Sequence, residues 1–134
     1  MAGEKRIIEV VAALIVQGDR FLACQRPPHK ARGLLWEFVG GKVESGESGP
    51  EALVRECREE LGVTLGVLGE VADVTHEYPE LTVHLTLYRS EILAGEVQRL
   101  EHHDVRWITV EEMDAYAFCP ADQPFCRLIR ESGL

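Results

Sequence analysis

The sequence predicts an α/β protein in which a mixed sheet carries helices on both faces. Three observations predict it. Ile7 to Val16 is an aliphatic, β-branched run; Ser48 to Gly62 is a capped amphipathic helix pattern; and two long alternating segments follow, Gly66 to Tyr78 and Leu81 to Leu93. Strands that come before and after a helix need a sheet that the helix can cover.

The elements can be justified in chain order. After the first strand, Gln17-Gly18-Asp19-Arg20 reads as a hairpin turn into a second strand, Phe21 to Gln25. A loop from Pro27 to Leu34 leads to Leu35-Trp36-Glu37-Phe38-Val39 and a glycine turn at Gly40-Gly41. Ser48 followed by Glu51 fits a capping box, and Pro50 sits in the first turn, where its missing N–H costs nothing. Ala52, Leu53, Cys57 and Leu61 can pack inward, and Gly62 ends the helix as a residue that accepts positive φ. Beyond the alternating pair, a short strand is expected near Val105 to Ile108. Thr109 with Glu112 then caps a short helix, and a last helix runs from about Gln123 to Glu131.

Composition narrows the class. A chain of 134 residues, 46% hydrophobic and 28% charged, suits one globular domain, with neither repeat nor low-complexity run. The longest apolar run, Val10 to Val16, is too short to span a bilayer and begins after charged residues, so neither a transmembrane helix nor a signal peptide is indicated. Cys24, Cys57, Cys119 and Cys126 form no C-x-x-C pair and read as reduced thiols of a cytoplasmic protein, not as a disulfide framework or a zinc site. A formal net charge of −9 argues against a nucleic-acid polymer as partner, because such binding needs a basic surface to neutralise phosphates. Free nucleotides stay open. Nothing in the sequence calls for an obligate protein partner.

The chemistry concentrates between Gly41 and Val63. Glu56, Glu59 and Glu60 stand at i, i+3 and i+4, so their carboxylates share one helix face and repel one another. A hard divalent cation such as Mg2+ or Mn2+ relieves that repulsion and bridges carboxylates to phosphate oxygens. A solvated acidic face is the plain alternative, but it leaves the glycine turn and the Glu47 and Arg55 spacing unexplained. Between Arg20 and Lys42 the basic residues Arg26, Lys30 and Arg32 have Glu37 as their sole acidic company. Arg26, at a strand end, is the one placed on a phosphate.

Gly41, Glu47, Arg55, Glu56, Cys57, Glu59, Glu60, Gly62 and Val63 fill every fixed position of G-x5-E-x7-R-E-U-x-E-E-x-G-U, where U is a bulky apolar residue. This stretch resembles the signature of the Nudix hydrolases. The resemblance continues through Ile8 to Ala13, Phe21 to Pro27, Leu35 to Lys42 and Cys119 to Pro124, which are similar to the MutT branch, both its 8-oxo-dGTP diphosphatases and its CTP pyrophosphohydrolases. It implies a Nudix-type α/β/α sandwich and hydrolysis of a nucleoside triphosphate to the monophosphate and pyrophosphate.

Carried over by position, the resemblance implies that the Gly40 carbonyl and Glu56, Glu59 and Glu60 hold the metals. Glu101, six residues before Trp107, matches a distant metal-associated glutamate. Glu56 or Glu101 would activate water, and Glu47 with Arg55 would brace loop and helix. For the base, Phe38 would lie against the ring, Tyr78 near it, and Asp122 would read the base edge. An ionised Asp122 only accepts hydrogen bonds, whereas a buried, protonated one also donates. An arginine that follows the Tyr78 position in MutT has no counterpart among Glu80, Leu81 and Thr82. Two other readings are a hydrolase of ADP-ribose or a related dinucleotide, and a nucleotide-sensing module without turnover. His102 and His103 are expected in a solvent-contacting loop; His29, His76 and His84 have no ligand spacing. Neither a Ser-His-Asp arrangement nor a G-x-x-x-x-G-K-[ST] loop is present.

Overall fold

The computed structural model describes residues 6–134. β1 (Ile7–Gln17) turns through Gly18, at φ 62°, into β2 (Arg20–Gln25), with Val16 opposite Phe21. Glycine takes that left-handed conformation without the steric cost of a Cβ. Further along the edge it shares with β1, β2 pairs with β3, only Trp36–Glu37, and its other edge carries β7 (Asp104–Thr109). β1 also pairs with β4 (Gly40–Lys42), antiparallel, and with β6 (Thr82–Ala94), parallel from Ile7 opposite Thr82 to Ile15 opposite Ser90. Parallel neighbours need a crossover connection. Here the chain between β1 and β6 includes α1 (Gly49–Leu61) and β5 (Thr64–Glu77), and β5 then pairs antiparallel with β6 at the sheet edge. The main order is β3-β2-β1-β6-β5.

Each sheet face has its own core. On one, Ala52, Leu53, Cys57 and Leu61 of α1 pack on Val11, Ala13, Ile15, Leu22 and Val39. On the other, Phe125, Cys126 and Ile129 of α2 (Gln123–Ser132) pack on Ala12, Leu14, Phe21 and Phe38. Alternation along β1 therefore feeds both layers, giving the α/β/α sandwich. Full burial of Leu53 and Leu61 stabilises the α1 face by roughly 1.5–3 kcal/mol each.

The helix ends follow the sequence pattern. The Glu51 N–H donates to Ser48 Oγ (3.2 Å) and the Ser48 N–H to Glu51 Oε1 (2.8 Å), while Gly62 closes α1 at φ 70°. Thr109 and Glu112 make the same reciprocal bonds, but around the start of a five-residue 3-10 helix, Glu111–Ala115, whose N-cap position is Val110. Among the described residues no helix is long and apolar enough to cross a membrane.

One expectation needs correcting. Gly40-Gly41 is strand β4, not a turn. Contact distance requires glycine at Gly40, where a Cβ would stand 1.9 Å from the Val11 carbonyl oxygen, and at Gly41 a Cβ would displace the Glu56 carboxylate. Periodicity does not reveal a close approach of backbone to backbone.

Candidate active site

The site begins at the loop before α1. Arg55, one turn and a half into the helix, reaches back: Nε donates to Glu47 Oε2 (2.7 Å) and Nη2 to Glu47 Oε1 (3.0 Å). Nη2 also donates to the Lys42 carbonyl (3.1 Å) and Nη1 to Glu56 Oε1 (2.9 Å). One guanidinium thus fastens loop, β4 and α1 together, and its fork geometry suits a carboxylate. These bonds hold the Glu47 carboxyl down, at a pKa of about 2.

Glu56 lies against Gly41, where a Cβ would fall 2.4 Å from its carboxyl carbon. Glu60, one turn on, is buried, and Oε2 has no hydrogen-bond partner. Burial first, and then the adjacent Glu56 carboxylate, push the Glu60 carboxyl well above the usual range. A buried carboxyl with an orphaned oxygen, beside a second carboxylate, is costly unless a proton or cation compensates it. All the donors gathered here are hard oxygens, which fits Mg2+ or Mn2+. Among the described residues no group of three histidine, cysteine or acidic side chains is already arranged to hold a metal ion.

His102 continues the row. Its side chain is only 3% exposed, with Nε2 3.2 Å from Glu37 Oε2 and 3.5 Å from Glu60 Oε1. Glu37 in turn takes Arg26 Nη1 at 2.8 Å. Arg26, Glu37, His102, Glu60, Glu56, Arg55 and Glu47 therefore form a continuous chain of charged and polar groups.

Of these, Arg26, Glu37, Glu56 and Glu60 line a cleft of about 430 Å³. Gly40, Glu56, Glu60 and Glu101 line it, together with Arg26, Phe38, Tyr78 and Asp122. Within this lining, Asp122 Oδ1 accepts from the Phe38 N–H (3.3 Å) and the Tyr78 hydroxyl from the Ala121 N–H (3.0 Å). Phe38 is also a core aromatic, with ring centroids 5.5 Å from Phe118 and 5.8 Å from Phe21. Asp122 precedes α2 but makes no side-chain cap bond. Burial chiefly, and the Glu37 charge next, raise its carboxyl well above the ordinary value, which favours the protonated form that donates as well as accepts.

A profile described as the NUDIX domain matches residues 10–128. The chain belongs to the Nudix hydrolase family. It is 42% identical over 119 residues to the CTP pyrophosphohydrolase of Escherichia coli, covering 89% of this chain and 88% of that protein. Identity to the 8-oxo-dGTP diphosphatase of the same organism is 33% over 88 residues, covering 66% and 68%. The solution structure of the E. coli ORF135 protein superposes with a TM-score of 0.81 at 38% identity, covering 99% of this chain and 97% of that one.

In this Nudix hydrolase the tertiary structure sorts the residues that the signature places together. Glu56 and Glu60 face the cleft, but Glu59 does not line it; its side chain is 52% exposed, 3.5 Å from Arg55. Arg26 lines the cleft with its guanidinium already held by Glu37 and by the Ala31 carbonyl (2.8 Å from Nε). His102 and His103 lie in the loop before β7, as expected, and His103 is exposed; His102, however, is buried rather than in contact with solvent, because its ring packs against the Glu37 and Glu60 carboxylates. Sequence reasoning missed Glu37 as a cleft residue, though it carried a signal as the sole acid in a basic stretch, and it placed Arg32 no more closely than as one member of that stretch. The four cysteines are free and buried, as the thiol reading expects.

Proposed function

We propose that this Nudix hydrolase is a Mg2+-dependent, MutT-like pyrophosphohydrolase. It cleaves 8-oxo-dGTP or related nucleoside triphosphates such as CTP to the monophosphate and pyrophosphate, a cytoplasmic nucleotide-pool sanitation that protects DNA in the way repair does. The observation that carries the reading is one cleft lined by Gly40, Glu56, Glu60 and Glu101 and also by Phe38, Tyr78 and Asp122. That lining offers oxygen ligands for a metal-bound phosphate and aromatic and hydrogen-bonding groups for a base.

The Gly40 carbonyl and Glu56, Glu60 and Glu101 would hold Mg2+, with Glu59 contributing from the rim. When bound, the metal supplies charge compensation on the phosphates and a more acidic water. Glu56 or Glu101 takes the proton from the water that attacks phosphorus in line. Arg55 and Glu47 keep loop and helix in register. Since Arg26 is tied to Glu37, the exposed Lys30 and Lys42, which line the cleft, are the cations assigned to the phosphate tail. A carboxyl at Asp122 that both donates and accepts suits the edge of a cytosine or an oxidised guanine.

The test is pyrophosphate release with and without Mg2+ from 8-oxo-dGTP, dGTP, CTP, 5-modified dCTP and ADP-ribose, compared by kcat/KM. Mg2+-dependent release from a triphosphate, lowered about 100-fold or more in Glu56→Gln, supports the proposal. Preference for ADP-ribose, or no turnover of any nucleotide, sinks it.

A further inference from the structure

The loop between β2 and β3 is wound tightly. Arg32 (φ 57°) and Leu34 (φ 67°) are the non-glycine residues with left-handed backbone among those described. Gly33 between them leaves no room for a side chain, since a Cβ would stand 2.6 Å from the Pro28 carbonyl oxygen. Such conformations are strained and persist where surrounding contacts enforce them. Arg26 enforces them from below: its N–H donates to the Leu35 carbonyl (2.9 Å), its carbonyl accepts from the Leu34 N–H (2.9 Å), and Nε donates to the Ala31 carbonyl (2.8 Å).

The winding delivers the Arg32 side chain to the opposite wall. Its guanidinium carbon lies 3.8 Å from the centroid of the Tyr78 ring, and Nη1 lies 3.0 Å from Glu80 Oε2. Tyr78 is itself pinned to the turn that holds Asp122, through the Ala121 N–H. Arg32 therefore clasps the β2–β3 loop to the β5–β6 hairpin at the cleft, which it lines together with Tyr78 and Asp122. A guanidinium has five N–H donors in a rigid fork. Stacking uses its face and Glu80 is bonded to Nη1, which leaves donors at the cleft.

We propose that Arg32 is a specificity-determining residue, positioned by Tyr78 and Glu80 to donate hydrogen bonds to a carbonyl oxygen of the nucleobase while Asp122 meets another part of the base edge. The proposal rests on the nucleotide reading above. It assigns this cleft to bases that carry a carbonyl, such as cytosine and 8-oxoguanine, over adenine, which has none.

Binding of nucleoside monophosphates tests it without requiring turnover. Wild-type protein, Arg32→Ala and Arg32→Lys are titrated calorimetrically with CMP, 8-oxo-dGMP, AMP and ribose 5-phosphate. Arg32→Ala is expected to weaken CMP and 8-oxo-dGMP by about tenfold, the usual scale for losing a hydrogen bond to a charged group. AMP and ribose 5-phosphate should change less than twofold, and Arg32→Lys should fall in between. Equal weakening of all four ligands, or none, overturns the proposal. If Arg32→Ala does not fold, Glu80→Gln frees the same guanidinium, and an unchanged ratio of CMP to AMP affinity has the same force. Failure of the reaction reading is distinguishable, because it shows as wild-type protein that releases no pyrophosphate from any triphosphate, whatever the binding ratios.

Discussion

The carboxylate of Glu56 occupies the space that a side chain on Gly41 would fill: a β-carbon there would stand 2.4 Å from the carboxyl carbon and 2.6 Å from Oε1. Strand β4 and helix α1 thus meet at a position where any side chain would displace the Glu56 carboxylate. Gly41→Ala should push Glu56 out of place and lower kcat by about 100-fold, the scale of an ångström-sized misplacement of a catalytic group. Circular dichroism should show the fold retained. A Gly41→Ala enzyme with wild-type kcat would mean that Glu56 has no positional role.

Arg55 binds Glu47 through two nitrogens and holds Glu56 with a third. Arg55→Ala should reduce activity roughly 10–100-fold by loosening that brace. Arg55→Lys, which keeps the charge and loses the fork, should recover little of it. The same pair gives a pH signature. The folded Glu47 pKa, about 2, lies below its unfolded value, so its contribution to stability is full above the unfolded pKa and is lost as pH falls through 2. Wild-type protein should lose thermal stability on acidification more steeply than Glu47→Gln; matching acid profiles would contradict this.

Asp122 shifts the other way. Its folded pKa is raised by burial, so at low pH it costs nothing, and the cost appears as pH rises past the unfolded pKa and the unfolded chain alone ionises. Asp122→Asn, nearly isosteric and neutral, should therefore raise Tm at pH 8 and leave it unchanged at pH 3. A Tm gain equal at both values would show that the carboxyl is not held neutral.

Away from the cleft, His84 on β6 lies between carboxylates from both neighbouring strands, with Nδ1 2.6 Å from Glu9 Oε1 on β1 and Nε2 2.7 Å from Asp73 Oδ2 on β5. Both bonds, that to Asp73 first, raise its pKa. For a histidine with a raised folded pKa the added stability is full below the unfolded value and lost as pH rises through the folded one. His84→Gln should lower Tm at pH 5.5 and have little effect at pH 9. A loss independent of pH would assign the effect to packing.

Much of the fold was legible because its signals are local. Ser48 with Glu51, Gly18 and the alternation of β5 and β6 are decided by neighbours within a few residues, and the structure follows them closely. The signature likewise named Glu56 and Glu60, since a fixed spacing on a helix fixes a shared face.

What the sequence by itself determined is the family, the order of the longer strands and helices, and the carboxylate-bearing helix, while strand β4 at Gly40–Lys42 read as a turn. Only tertiary structure decided which of those carboxylates is buried, since Glu59 and Glu60 are adjacent in the chain while one is rim and the other floor. It also decided that His102 lies under Glu37 and Glu60, that Arg26 is spent on Glu37, and that Arg32 crosses to Tyr78. These pairs stand between 11 and 65 residues apart in sequence. Their contacts depend on how two sheet edges and a wound loop come together, and no local periodicity encodes that.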